Sequence, residues 1–293
     1  SLSQHLMASP VSEIERSRWG KSPSSPIKIR LNSNENPYGP SDKAQQAIQQ
    51  TLMESNRYAF NTQKELKEIL ATWEGVTPNH ISIGAGSGDL LCHAGVAFGV
   101  EGGSILSAFP TFPLLMNYAQ IFRATWDKVN LNENLEHDYE ALAARVTNDT
   151  KLVFVCNPNN PTGTLVDPVL VKQFCEEVSK KVTVYVDEAY LEFLEPKHQL
   201  SMVDLVKKDY NVVVSKTFSK IYGLAGLRLG YVVGKPELIS KMARYNMSIS
   251  NNQPAVAAAK ASLGDQDFIA LCRRKNAEAR GHLTSYLDKK GIR

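Results

Sequence analysis

Four stretches of the chain bring together side chains whose types and spacing could do chemistry, and each follows an apolar run. Lys216-Thr217-Phe218-Ser219-Lys220 sets two lysines among two hydroxyls, and Arg228 lies eight residues past Lys220. A single lysine is most often a solvated surface group. Beside two hydroxyls and an arginine beyond an apolar run, it fits a set that holds a phosphate dianion next to an amine. Asp187-Glu188-Ala189-Tyr190 ends another apolar run. An acid buried there without a partner is costly, so Asp187 is expected either to meet a cation or metal or to cap a helix. Asn157-Pro158-Asn159-Asn160-Pro161-Thr162-Gly163 reads either as a turn built from turn residues or as a backbone that aims an amide into a site. Gly84-Ala85-Gly86-Ser87-Gly88 has three readings: backbone N–H groups that approach a phosphate, a tight turn needing positive φ, or a dinucleotide fingerprint whose third glycine position holds Asp89.

No other catalytic pattern competes. The six histidines show no HxxxH metal spacing, Ser87 is not in a GxSxG elbow, and there is no GxxxxGK[ST] loop. The cysteines (Cys92, Cys156, Cys175, Cys272) form no CxxC and read as buried, reduced thiols of a cytoplasmic protein. A net charge of +3 from 33 basic and 30 acidic residues gives no electrostatic reason to expect nucleic acid or a membrane surface. No apolar run reaches membrane-spanning length, and Ser1–Gly20 lacks the apolar core of a signal peptide. With 293 residues, 43% hydrophobic and 22% charged, the chain has room for a sizeable core in one large or two ordinary domains. That excludes a disordered tail, a collagen and a disulfide-stapled miniprotein.

These stretches must be positioned by the elements before them. Strands are expected at Ile81–Ile83, Ser104–Ala108, Lys151–Cys156, Val182–Asp187, Asn211–Ser215 and Leu229–Val233. They are short, β-branched and continuously apolar, as strands buried on both faces are. Helical patterns lie between them at Gln63–Glu74, Gly88–Phe98, Phe112–Gln120, Asp138–Val146, Pro168–Lys180 and Pro236–Asn246. Such alternation means α/β with a mainly parallel sheet, whose ligands bind at the carboxyl ends of the strands. The last pattern, Asp265–Lys290, has Phe268, Cys272, Ala279, Leu283 and Leu287 at three- and four-residue steps. A helix of about 26 residues and about 39 Å reads as a strut leading out of the first domain.

Taken in order, the glycine turn, Asn-Pro-Thr-Gly, Asp-x-x-Tyr and Ser-Lys with Arg228 beyond it resemble the fold-type-I pyridoxal-phosphate aminotransferases. Within them the chain is similar to the histidinol-phosphate aminotransferase family, on Leu31-Asn32-Ser33-Asn34-Glu35-Asn36-Pro37-Tyr38-Gly39-Pro40, Asn56-Arg57-Tyr58, Pro110-Thr111-Phe112 and Leu224-Ala225-Gly226-Leu227-Arg228-Leu229-Gly230. The resemblance runs from about Ile29 to the end and implies a large α/β domain with a mainly parallel seven-stranded sheet, plus a small domain. On this reading residues 1–40 form an N-terminal segment belonging to the small domain and the site lid. Residues 41–260 form the cofactor domain, and 261–293 the interdomain helix with the start of the small domain. The family continues past that helix into a segment carrying an arginine for the substrate carboxylate, so the sequence is expected to be incomplete at Arg293.

The resemblance also implies roles. Lys220 would carry pyridoxal 5'-phosphate covalently and shuttle the substrate proton, and Asp187 would pair with the ring nitrogen. Asn160 and Tyr190 would hydrogen-bond the ring oxygen, and Phe112 would stack on the ring, where the family often has tyrosine. Ser87, Gly88, Thr217, Ser219 and Arg228 would hold the phosphate, although the family's acidic pair is here Gly88-Asp89. Tyr58 would reach the cofactor phosphate of a partner subunit in a homodimer, and Tyr38 and Gly39 would meet the substrate. The implied reaction moves an amino group between an amino acid or histidinol phosphate and a 2-oxo acid. Three alternatives share parts of the pattern: a decarboxylase of the same fold acting on threonine phosphate, a non-catalytic pyridoxal-phosphate-binding protein, and a nicotinamide oxidoreductase resting on Gly84–Gly88 alone.

Overall fold

The computed structural model describes residues 31–246 and 249–292. Most of the expected segment 1–40, including the Pro/Ser-rich start, lies outside the described residues. The chain runs α1 (Asp42–Thr51), α2 (Phe60–Glu74), β1 (Ile81–Gly84), α3 (Ser87–Gly99), β2 (Ser104–Phe109), α4 (Leu114–Ile121), β3 (Thr125–Asn130), α5 (Tyr139–Arg145) and β4 (Thr150–Cys156). It continues through α6 (Pro168–Val178), β5 (Thr183–Asp187), α7 (Val203–Lys207), β6 (Val212–Thr217), β7 (Gly230–Gly234), α8 (Pro236–Ala243), α9 (Gln253–Leu263) and α10 (Gln266–Lys289). Among the described residues no helix is long and apolar enough to cross a membrane.

Seven strands form one sheet in the order β1-β7-β6-β5-β4-β2-β3. Four of the six pairings are parallel, and the other two are antiparallel because β7 runs against both β1 and β6. Because β7 alone is reversed, the carboxyl ends of the other six strands lie along one edge. Gly84 at the end of β1 pairs with Gly230 at the start of β7, and Gly230 pairs with Thr217 at the end of β6. One edge of the sheet therefore collects the residues that follow those six strands and the residues that precede β7.

The alternation of strand side chains divides the core into two layers. Val153, Val155, Val184, Val186, Val212, Val214 and Val233 pack with Leu66, Leu70, Phe174 and Val256, on the side of α2, α6 and α9. Leu152, Phe154, Tyr185, Val213 and Val232 pack with Leu91, Leu115, Met116 and Met242, on the side of α3, α4 and α8. Both faces are covered by helices, which is why the central strands read as unbroken apolar runs.

The sequence reading gives no strand at Thr125–Asn130. Its composition, TWDKVN, is polar because β3 is an edge strand paired only to β2. Lys128 there lies 4.2 Å over the Trp126 ring, a charge of the kind that guards sheet edges. Helices α1, α7 and α9 also escape it. Of these α9 is an alanine-rich run buried on most sides, so it lacks an amphipathic period. Helix α2 begins three residues before the expected Gln63, and α4 begins at Leu114, so Phe112 stands in the turn before that helix. Helix α10 matches the expected strut at about 36 Å. Phe268 packs on the core and Ile269 and Cys272 are buried, whereas Leu283 and Tyr286 farther along are exposed.

Candidate active site

The site starts from the paired ends of β5 and β6. Asp187 stands opposite Ser215 in the register, and both side chains fall on the α3 side of the sheet with Tyr185 and Val213. Asp187 is 3% exposed, and its Oδ1 accepts a hydrogen bond of 2.9 Å from the Ser215 hydroxyl. Among the described residues no protein cation forms an ion pair with Asp187, although the Lys220 charge acts on it. Nor does it cap a helix of its own. Burial instead pushes its carboxyl up to about 6, against the opposing pull of Ser215, the Ala189 N–H and the Lys220 charge.

Past β6 the chain turns sharply. Phe218 is fully buried, and hydrogen bonds from Phe218 N–H to Leu229 O (3.1 Å) and Leu224 N–H to Phe218 O (3.0 Å) fix the turn that presents Ser219 and Lys220. Lys220 is half-buried. Burial lowers its pKa and the Arg228 charge adds to this, while Asp187 and Glu35 pull the other way. Its Nζ donates to the carbonyls of Ser33 (2.9 Å) and Asn34 (3.3 Å).

Around Gly86 the donors for an anion converge. Helix α3 opens at Ser87 with no side-chain cap, so its first N–H groups lack helical acceptors. Gly86 takes φ +89°, and a side chain there would run into the Arg228 guanidinium; one on Gly230 would run into the Ser87 nitrogen. Arg228, itself at φ +57°, donates from Nη1 to Ser219 Oγ (3.4 Å) and from Nη2 to Ala85 O (3.0 Å). The Thr217 hydroxyl accepts from Ser219 N–H at 3.1 Å. Asp89, the departure from the family pattern, is turned to other partners: its carboxylate accepts from Ala85 N–H at 3.0 Å and lies 3.3 Å from His93 Nε2.

On the opposite flank, Tyr190 Oη accepts from Asn160 Nδ2 at 3.4 Å and from Asn34 Nδ2 at 3.1 Å. Asn160 is carried by the turn after β4, where Asn157-Pro158 and Asn160-Pro161 are both cis. Phe112 is half-buried against the α3–α4 layer. A cleft of about 470 Å³ opens beside Tyr190 and Asn160 and is lined also by Glu35, Tyr38, Lys275 and Arg280. Gly39 is not part of that lining; its carbonyl occupies the place where a side chain on Gly223 would go. Tyr58 is 68% exposed, with its ring 5.5 Å from that of Phe60.

Two features escape the sequence reading. Asn34 touches both Lys220 and Tyr190, a contact across more than half the chain for which no local spacing gives a sign. Lys216, four residues from Lys220, faces the other side of the sheet. It is buried against Glu74 (3.4 Å) and Glu188 (3.6 Å). All four cysteines are free thiols, with Cys92 only half-buried.

The donor set fits a phosphorylated aromatic aldehyde. Backbone N–H groups, hydroxyls and a guanidinium cluster where glycines leave room for an anion. Among the described residues a buried acid has no protein ion-pair partner, and an amine of lowered pKa lies within electrostatic reach of both that acid and Arg228. Comparison with known proteins agrees. The family model for aminotransferase class I and II matches residues 26–293. The chain is 37% identical to histidinol-phosphate aminotransferase 1 of Cupriavidus pinatubonensis, over all of this chain and 77% of that protein. It is 36% identical to the histidinol-phosphate aminotransferase of Moorella thermoacetica, over all of this chain and 75% of that one. The crystal structure of histidinol-phosphate aminotransferase from Sinorhizobium meliloti, in complex with pyridoxal-5'-phosphate, superposes with a TM-score of 0.84 at 28% identity. That match covers 99% of this chain and 77% of the other.

Proposed function

The chain belongs to the aminotransferase class I and II family and is a pyridoxal-phosphate-dependent transaminase; from that premise we propose that it moves an amino group from histidinol phosphate to a 2-oxo acid, through a site built on Lys220 and Asp187. The substrate follows from the names of relatives 36–37% identical over the whole chain. The observation that carries the site is the buried, cation-free carboxyl of Asp187 at the strand end next to the turn of Lys220. The cofactor, when bound, supplies an aldehyde for the amino group and a ring that takes up electrons from the substrate carbon.

The chain's own residues then have distinct tasks. Ser87 and Gly88 N–H groups, Thr217, Ser219 and Arg228 bind the phosphate. The Asp187 carboxylate holds the proton on the ring nitrogen; a cation there removes the penalty that burial imposes on its charge. Lys220 Nζ is the nucleophile and the base. Its lowered pKa leaves more of it neutral, and so able to accept a proton, than an exposed lysine would be. When it is not engaged, the Ser33 and Asn34 carbonyls hold the amine in place. Asn160 and Tyr190, which already hydrogen-bond each other, would hold the ring oxygen, Phe112 would cover a ring face, and Tyr38 borders the cleft from which the substrate would approach. Gly39 shapes that approach through its backbone.

Residues 41–260 serve as the cofactor unit, with the end of segment 1–40 lying over it and 261–293 leading away. The protein acts in the cytoplasm as a homodimer: Leu52, Met53, Tyr58 and Phe60 are all exposed on one short stretch, as a surface for a second copy requires. Mixing Tyr58→Ala and Lys220→Ala chains restores activity if sites are shared between subunits, and restores none in mixed dimers if they are not. The main test is a donor screen with pyridoxal phosphate and 2-oxoglutarate. Histidinol phosphate should be converted faster than other amino donors, with glutamate formed and no carbon dioxide released. Carbon dioxide from an amino acid phosphate would replace this reading with the decarboxylase.

A further inference from the structure

Behind the site lies a buried charge cluster that the reaction does not use. Strand alternation places Ser215 on the site face and the next residue, Lys216, on the face of α2. Asp187 and Glu188 divide in the same way: Asp187 takes its hydrogen bond from Ser215, while Glu188 turns to Lys216. Glu188 is 2% exposed and also accepts from Ser201 Oγ (2.7 Å) and Met202 N–H (2.7 Å), which fastens it to the start of α7. Lys216 reaches on to Glu74 at the end of α2, and Glu74 accepts from Tyr231 Oη of β7 at 2.5 Å. One buried ammonium thus ties together α2, β5, β6 and β7. Burial works against its charge, but Glu188, Glu74 and Glu192 outweigh that and hold its pKa well above the ordinary lysine value.

We infer that Lys216 is a positioning residue for the transaminase site: by clamping Glu188 and Glu74 on the far face, it holds the ends of β5 and β6 in the register that sets Asp187 against the turn of Lys220. The inference rests on the assignment of Asp187 and Lys220 to the reaction. The backbone supports it directly, since Glu188 N–H donates to Ser215 O at 3.0 Å, between the two strand ends whose opposite faces carry the two side-chain pairs. Without the ammonium, the two buried carboxylates keep the hydrogen bonds from Ser201, Met202 and Tyr231 but lose their shared counter-charge and repel each other. The repulsion is relieved by moving Glu188, and Asp187 is its covalent neighbour.

The experiment compares the loaded full chain with its Lys216→Met, Lys216→Arg and Glu188→Gln variants. Three quantities are read: thermal unfolding, the pH titration of the bound cofactor's absorbance, and kcat and KM for the amino donor. For Lys216→Met the titration should move by at least about 0.5 pH unit and kcat should fall at least about 10-fold, with KM within about 3-fold. Lys216→Arg, which keeps a buried cation, should return both to near the parent. If the methionine variant does not fold, Glu188→Gln keeps the Lys216–Glu74 pair and should show the same displaced titration at smaller amplitude. A folded variant that loses thermal stability but titrates and turns over like the parent overturns the inference, as does an arginine variant that folds without restoring the titration. A parent chain that neither takes up the cofactor nor transaminates would instead refute the underlying site assignment.

Discussion

Asp187 and Glu188 are consecutive, both almost without solvent exposure, and stand at the end of the same strand, yet their surroundings are opposite in kind. Glu188 is surrounded by donors: an ammonium, a hydroxyl and a backbone N–H. Asp187 has one hydroxyl and a backbone N–H close to it, and burial pushes its carboxyl up to about 6. The lysines divide in the same way. Lys216 is locked between carboxylates, whereas Lys220 is half-buried, depressed in pKa and held by carbonyls. The far face closes its own charges, and the near face leaves them open for a ligand to close. Buried charge by itself therefore does not mark a reactive group; buried charge whose partner is missing from the chain does.

The contrast is tested most severely at the two lysines. Lys220→Ala should lower transamination at least about 1,000-fold, and Lys220→Arg should fail to restore it, because the reaction needs an amine that gives up its proton. Steady-state rates at saturating donor check this. If Lys220→Arg turns over like the parent, the near face needs only a cation, as the far face does.

Asp187→Asn should lower kcat about 100- to 1,000-fold while the cofactor-free chain becomes more stable. The sign follows from proton counting. The folded carboxyl keeps its proton up to about 6, while an unfolded one releases it near the ordinary value of 3.8. The folded state thus binds more protons between these limits, and stability from this group is lost as pH rises through about 6. Asparagine carries no such loss. In urea titrations without cofactor, the variant's advantage should be about 2–3 kcal/mol at pH 8 and fade below pH 4. A constant difference across that range would mean that Asp187 is satisfied within the chain.

The smallest effect belongs to Tyr190. Its hydroxyl accepts hydrogen bonds from Asn34 and Asn160 and carries no buried charge, so Tyr190→Phe should change kcat about 2- to 10-fold and displace the pH titration of the bound cofactor. A loss as large as that from Asp187→Asn would give Tyr190 a part in proton transfer.

How far the sequence reveals this arrangement depends on where the information is stored. The central strands are legible because helices cover both faces, so Lys151–Cys156 and Val182–Asp187 can be read as apolar runs to within a residue or so. The residues after them are legible as site candidates because one edge of such a sheet is where ligands bind. Edge strand β3 is hidden by its polar composition, and α9 by its lack of a polar face. The division between Asp187 and Glu188 is hidden for a different reason. Both follow the same apolar run, and only the register against Ser215 and Lys216, together with Glu74 from a helix more than a hundred residues earlier, separates them. Asn34 is hidden in the same way, by contacts with residues far along the chain.

The reversed strand β7 has a consequence for how the molecule is assembled. Ser87 and Arg228 lie nearly half the chain apart, and the pairing of β1 with β7 brings their two turns together at an edge of the sheet. The anion cradle therefore does not exist until the first and last strands have met, so it forms late, after a large loop has closed. An edge pair of this kind is ordinarily where a sheet frays first. A phosphate bridging the two turns binds only the closed arrangement and by mass action shifts the equilibrium toward it. On the proposed assignment of the phosphate site, this edge of the sheet would thereby be fastened by the same group that equips the protein for its chemistry.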